Sequence, residues 1–217
     1  MRVENDESRR WLQWASKTQH RAMYDTESMW TRAAKIGDHD FATFGQNAVQ
    51  VRLNKTRDRM LYRTWHLRDM AWVENAEGKI CAYFRRWKPM ARDVVADFKK
   101  VHPSLVSLEK IKPFEEVECM HLMVQSDMWD GNANGKPWVS IYLDLANEFE
   151  LEALGVWNKQ YCVARWQTLG SQYAHSPATI AALPDARLIQ AMTYTLLEAG
   201  EKIVNPPLLA TEDVVRS

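Results

Sequence analysis

Six basic side chains, Arg52, Lys55, Arg57, Arg59, Arg63 and Arg68, fall in one short stretch that holds a single acid, Asp58. Tyr62, Trp65 and His66 lie among them, and Arg85, Arg86 and Lys88 repeat the pattern around Trp87. Cations interleaved with aromatic rings hold phosphates electrostatically and without base preference, so residues 52–68 define one function class, a nucleic-acid-binding module. The same residues can make a solvated strand face or a contact between subunits. A formal net charge of zero at pH 7 favours these over a nucleic-acid grip.

Other chemistry is sparse. Asp38-His39-Asp40 offers hard and borderline metal ligands, but adjacent residues seldom converge on one ion, and the triplet reads as a solvated turn between helices. An enzymatic reading would need a site assembled from scattered residues such as Asp38, His39 and His121. His121, inside an apolar strand, reads instead as a core or interface histidine, and His175, beside Ser176, as a turn residue. There is no Gly-rich phosphate loop, no Gly-x-Ser-x-Gly, no His-Glu-x-x-His and no Cys-x-x-Cys pair. Cys81, Cys119 and Cys162 are widely spaced in apolar, strand-like runs, which predicts three buried inert thiols rather than a disulfide or zinc framework. No catalytic residue, metal ligand or cofactor is assigned.

The elements that must position these residues are short. Apolar spacing predicts helices over 6–24, 27–44 (with a break at Gly37-Asp38), 89–100, 103–110 and 184–205. It predicts strands over 48–53, 60–67, 70–74, 79–87, 117–124, 137–145, 151–157 and 161–166. The first four strands are expected to form one small antiparallel sheet, and Asn158-Lys159 to close a hairpin between the last two. The fold class is α+β, an antiparallel or mixed sheet with flanking helices and a long C-terminal helix. Residues 1–170 form one domain, 171–205 a helical segment and 206–217 the start of a further region. With 217 residues, 46% of them apolar, the chain can bury a core, and no apolar run approaches the ~20 residues of a membrane span. The charged start, Arg2 to Arg10, is unlike a secretion signal, so synthesis in the cytoplasm and no membrane partner are expected.

The zero net charge hides a division. Residues 1–112 hold 22 Lys and Arg against 14 Asp and Glu, and residues 113–217 hold 6 against 14. The two halves can interleave in one fold with their charges scattered over its surface. Alternatively, a basic face of one subunit meets an acidic face of the next, with Glu115, Glu116, Glu118, Glu150 and Glu152 opposite the 52–68 hairpin.

Towards the C-terminus, Ser176-Pro177 and Pro184-Asp185 each combine a helix start with a first-turn proline, and a new helix is expected to begin at Pro184. It is expected to stop at Asn205, before Pro206 and Pro207, with Lys202 in its last turn. Leu188, Met192, Leu196 and Ile203 form an apolar stripe along it, widened by Ile189 and Leu197. That stripe wants a partner.

This block, together with Tyr161-Cys162-Val163-Ala164-Arg165-Trp166 and Tyr173-Ala174-His175-Ser176-Pro177, resembles the portal, or head-to-tail connecting, proteins of short-tailed bacteriophages. In that family Arg-Trp precedes a Tyr-Gly-x-Ser-Pro turn, Ala-Leu-Pro-Asp and a long helix, and Pro-Pro-Leu-Leu follows with acids beyond it. Here Gln190, Met192, Glu212 and Asp213 stand at the matching places, Ala174 occupies the glycine position and Gln190 replaces an asparagine. The specific resemblance covers residues 161–213. It implies a homo-oligomeric ring at one capsid vertex of the virion, through which double-stranded DNA is packaged and ejected. It further implies contacts with the packaging terminase, the capsid shell and tail or adaptor proteins, and no active site. Residues 1–170 would be wing-like, 171–205 stem-like and 206–217 the start of the clip, making the chain a central fragment. Pro184, Asp185, Arg187, Leu188, Met192, Leu196, Ile203, Pro206 and Pro207 would then form the stem and its subunit interface.

Overall fold

The computed structural model describes residues 5–54, 56–168 and 170–206. Two helices come first, α1 (Asp6–Met23) and α2 (Trp30–Phe44), followed by strands β1 (Gln46–Leu53), β2 (Met60–Trp65), β3 (Met70–Glu74) and β4 (Ile80–Trp87). Helices α3 (Ala91–Asp97) and α4 (Pro103–Ile111) precede β5 (Cys119–Gln125), β6 (Trp138–Asp144), β7 (Phe149–Val156) and β8 (Tyr161–Arg165). A π-helical turn, Ala178–Ala182, leads into α5 (Leu183–Val204). The fold is α+β with two antiparallel sheets, ordered β2-β1-β8 and β3-β4-β5-β6-β7. Among the described residues, no helix is long and apolar enough to cross a membrane.

The sheets correct two expectations. The first four strands do not share one sheet, because the short 3-10 turn Leu67–Asp69 passes the chain from β2 in one to β3 in the other. Nor do the last two strands form a hairpin. β7 pairs with β6, while β8 pairs with β1 in the register Gln46↔Arg165 to Gln50↔Tyr161. Val51 N–H donates to Gln160 C=O at 2.8 Å just where β8 joins β1.

Three apolar clusters hold these layers. Ala48, Trp65, Met70, Trp72, Tyr83, Met123 and Tyr161 come from both sheets and make their shared interior. Ala91, Val94, Leu105, Val117, Cys119 and Leu151 pack α3 and α4 on the five-stranded sheet, and Ala82, Val124, Val139 and Ile141 form a third cluster under Trp129 and Ala133. Cys81 and Cys119 are buried, and burial pushes the Cys119 thiol up to about 12, so it stays protonated. Cys162 is exposed, contrary to expectation, because alternation along β8 turns it outward when Tyr161 turns in.

Helix α2 runs unbroken through Gly37-Asp38. Gly37 is buried against Asn47, whose side-chain amide donates to Gly37 C=O at 3.1 Å, so the missing side chain serves close packing on β1 rather than a break. Asp38-His39-Asp40 is accordingly helical, not a turn. Gly45 ends the helix in the left-handed region at φ 73°. A Cβ there would sit 2.4 Å from the His175 carbonyl oxygen, in a segment where Trp166 N–H also donates to Gly45 C=O at 2.7 Å. We predict that Gly45→Ala destabilises the fold by about 2 kcal/mol or more, since strain and backbone overlap act together. A denaturant midpoint equal to that of the wild type would refute this.

Helix α5 does not begin afresh at Pro184. Ser176 Oγ accepts from Thr179 N–H at 2.9 Å, and the helical path continues through the π turn, where Leu183 N–H reaches Ala178 C=O. Proline cannot donate and its ring pushes on the carbonyl one turn back, so widening the turn just before Pro184 keeps the helix continuous.

Candidate functional site

The residues singled out on α5 are all displayed. None of its 22 residues is buried, and Leu188, Met192, Leu196 and Ile203 are 60 to 80% exposed. Ile189, Tyr194, Leu197 and Val204 are exposed beside them. By the rise of an α-helix the element is about 33 Å long. Its N-terminal end is anchored through the π turn, which rests on α2. Asp185 in the first turn and Lys202 in the last oppose the helix dipole favourably, and Arg187 and Pro206 are solvent-facing. Pro207 lies outside the described residues. Helix α1 likewise has no buried residue and exposes Trp11, Leu12 and Trp14.

A second site is a cleft of about 620 Å³ on the edge between the sheets. It gathers only part of the basic stretch. Arg52 at the end of β1, Arg57 in the β1–β2 turn at φ 59°, and Arg63 on β2 line it. Arg59 is drawn away to Glu27 at 2.5 Å and Asp25 at 3.5 Å, and Arg68 sits beside Asp69 at 3.4 Å. Lys55 lies outside the described residues. Glu118, expected opposite a neighbour's hairpin, pairs within the chain with Arg86 at 2.5 Å and Lys88 at 3.1 Å, and Glu115 pairs with Lys112 at 3.5 Å. Local acids thus hold part of the charge that the division between chain halves suggested was spare.

The floor of the cleft is Arg85, which sequence reasoning placed only in a surface basic cluster. Tyr83, Arg85 and Trp87 share one face of β4, so the arginine follows the tyrosine inward and is 4% exposed. Its guanidinium lies 4.1 Å from the ring centroids of both Trp65 and Trp87, and Arg63 lies 3.9 Å from that of Trp65. Arg85 Nη1 donates to Gln50 Oε1 at 3.5 Å, an oxygen that also accepts from Trp65 Nε1 at 2.9 Å. Arg85 Nε has no hydrogen-bond partner among the described residues. Burial lowers the pKa of Arg85, and the charges of Arg52 and Arg63 add to that. The period-two position of Arg85 behind Tyr83 was the available signal.

Behind Arg85 the sheets are joined by a polar cluster. His121 is fully buried, with Nδ1 2.5 Å from Tyr161 Oη, Nε2 2.8 Å from Ser140 Oγ and its ring stacked on Tyr142 at 4.0 Å. Burial, then Arg85 and Arg52, hold its pKa well below the ordinary 6.5. Both ring nitrogens are spent on structural contacts. Asp38 and His39 are exposed on α2, and Asp40 beside them is 7% exposed. His175 N–H donates to Gln167 C=O at 2.8 Å in the turn behind Gly45.

A search of curated proteins gives no match. The family model described as bacteriophage head to tail connecting protein matches residues 2–217. An α+β body carrying a long, uncovered C-terminal helix, and a match spanning nearly the whole sequence, lead to one conclusion: the chain belongs to the bacteriophage head to tail connecting proteins.

Proposed function

We propose that this chain is a structural subunit of a ring at the capsid vertex, forming the channel for DNA packaging and ejection and joining head to tail. The observation that carries this reading is α5, a 22-residue helix with an apolar stripe that nothing among the described residues buries. A soluble monomer rarely leaves such a face uncovered. In a closed ring the stripe meets the next subunit, and repetition of one heterologous contact lines the channel with identical helices. In this reading residues 171–205 are the stem and Pro184, Asp185, Arg187, Leu188, Met192, Leu196 and Ile203 belong to its interface. Pro206 and Pro207 direct the chain into the clip region, where the packaging terminase and later tail or adaptor proteins dock. The body, residues 1–170, faces the capsid shell. Double-stranded DNA passes through without being gripped, and the work of the subunit is geometric rather than catalytic.

Electron microscopy of the purified chain across a concentration series tests the proposal directly. Rings with a central opening are expected. A uniformly monomeric population at every concentration would overturn it.

A further inference from the structure

We propose that the cleft floored by Arg85 is a phosphate site, taking a group with two or more negative charges. The inference does not depend on the ring, since every residue it uses belongs to the α+β body of one chain.

Charge accounting comes first. Arg52, Arg57, Arg63, Arg85 and Lys88 line the cleft, with Asp93, Asp97 and Glu152 the acids. Lys88 is paired with Glu118, and Asp93 with Arg92, both outside the group. The remaining arginines, Arg52, Arg57, Arg63 and Arg85, outnumber the acids that line the cleft with them, which leaves a local surplus of positive charge. Beyond the effect of burial, Arg52 and Arg63 lower the pKa of Arg85, and Arg52 lowers that of Arg63, so the cations repel one another. Like charges gathered at a partly buried site destabilise it unless a counter-charge enters.

The shape of the arginines points to the same class of ligand. Arg85 is 4% exposed, lines the cleft and has a buried Nε without a partner among the described residues. Trp65 and Trp87 hold its plane in place, so the fork is pre-oriented rather than mobile. Planar guanidinium groups recognise phosphate oxygens through paired hydrogen bonds, and a dianion matches the surplus of charge where a single carboxylate would not. Trp65 carries two guanidinium groups and Trp87 one, so the indoles serve to hold arginines and recognition falls chiefly on the phosphate. Two sources share that chemistry, a free polyphosphate and neighbouring phosphates of a nucleic-acid backbone.

Calorimetric titration of the full chain with pyrophosphate, with chloride at equal ionic strength as the reference, tests the proposal. Saturable binding is expected for pyrophosphate and none for chloride. Arg52→Gln and Arg63→Gln, both at exposed positions, should each weaken binding about ten-fold, the size of one charge-assisted hydrogen bond. Arg68→Gln, outside the cleft, should leave it unchanged. Displacement of bound pyrophosphate by a short DNA duplex would assign the site to the nucleic-acid backbone, and persistence of pyrophosphate would assign it to a free polyphosphate. Absence of saturation, or equal weakening by Arg68→Gln and Arg63→Gln, would overturn the proposal.

Discussion

Replacing Met192 and Leu196 with glutamate should abolish ring assembly and leave the body folded. The two side chains are 60% and 73% exposed in the single chain, so little packing is lost there. Surface substitutions of this kind change stability by no more than about 0.5 kcal/mol. At a subunit contact the balance differs. Covering a Met or Leu side chain contributes about 1.5 to 3 kcal/mol, and enclosing an unpaired carboxylate in its place costs several more. Since each subunit carries both changes, every contact around a ring would be affected, and a population of monomers is the expected product. Sedimentation velocity for assembly and denaturant unfolding for the body separate the two effects. Rings that persist in the double variant, or a body that unfolds with the helix, would show that the stripe belongs to something other than a subunit contact.

Acid should weaken the body through His121. The ring is neutral in the folded state, held there by burial and by the charges of Arg85 and Arg52, while Tyr161, Tyr142 and Ser140 pack around it. In the unfolded chain the imidazole titrates near 6.5, so between that value and the lower folded pKa the unfolded state binds more protons. Stability is therefore fully present above about pH 6.5 and falls as the pH drops, by up to about 1.4 kcal/mol per unit. Between pH 7.5 and pH 5 a loss of stability is expected, with an upper limit of about 2 kcal/mol. The carboxylates of Glu118 and Asp58, whose pKa values are lowered by hydrogen bonds from Arg86 and from Thr56 and Asn54 respectively, titrate below this window. Unfolding free energies at the two pH values, for the wild type and for His121→Gln, measure the effect. Equal stability at both pH values in the wild type, or the same loss in the variant, would remove His121 from the account.

Most element positions were legible because their causes are local. The alternation of apolar residues placed β3 at Met70–Glu74 without error, and β4 to within one residue. Ser176 capped a helix as its position before a proline implied. The C-terminal run from Tyr161 to Asp213 was distinctive enough to indicate the family that the match over residues 2–217 establishes. Where several local causes competed, the reading failed. A glycine can break a helix or let it pack closely, and only the approach of Asn47 decided the matter at Gly37. A proline can start a helix or follow a widened turn within one, and the bond from Leu183 N–H to the carbonyl of Ala178 decided it at Pro184.

What the tertiary structure alone decided was pairing between distant segments. Asn158-Lys159 is compatible with a hairpin, yet β8 crosses to β1 because the Tyr161 side chain finds its burial against Tyr83 and His121, which are far away in sequence. The same non-local burial carried Arg85 inward between two indoles and left Arg59 to nearby acids, dividing a basic stretch that looks uniform in one dimension. For α5 the sequence by itself determined the apolar stripe, since helical spacing needs only neighbours along the chain. That no part of the chain among the described residues covers the stripe is a property of three-dimensional packing, because burial depends on which distant surfaces meet.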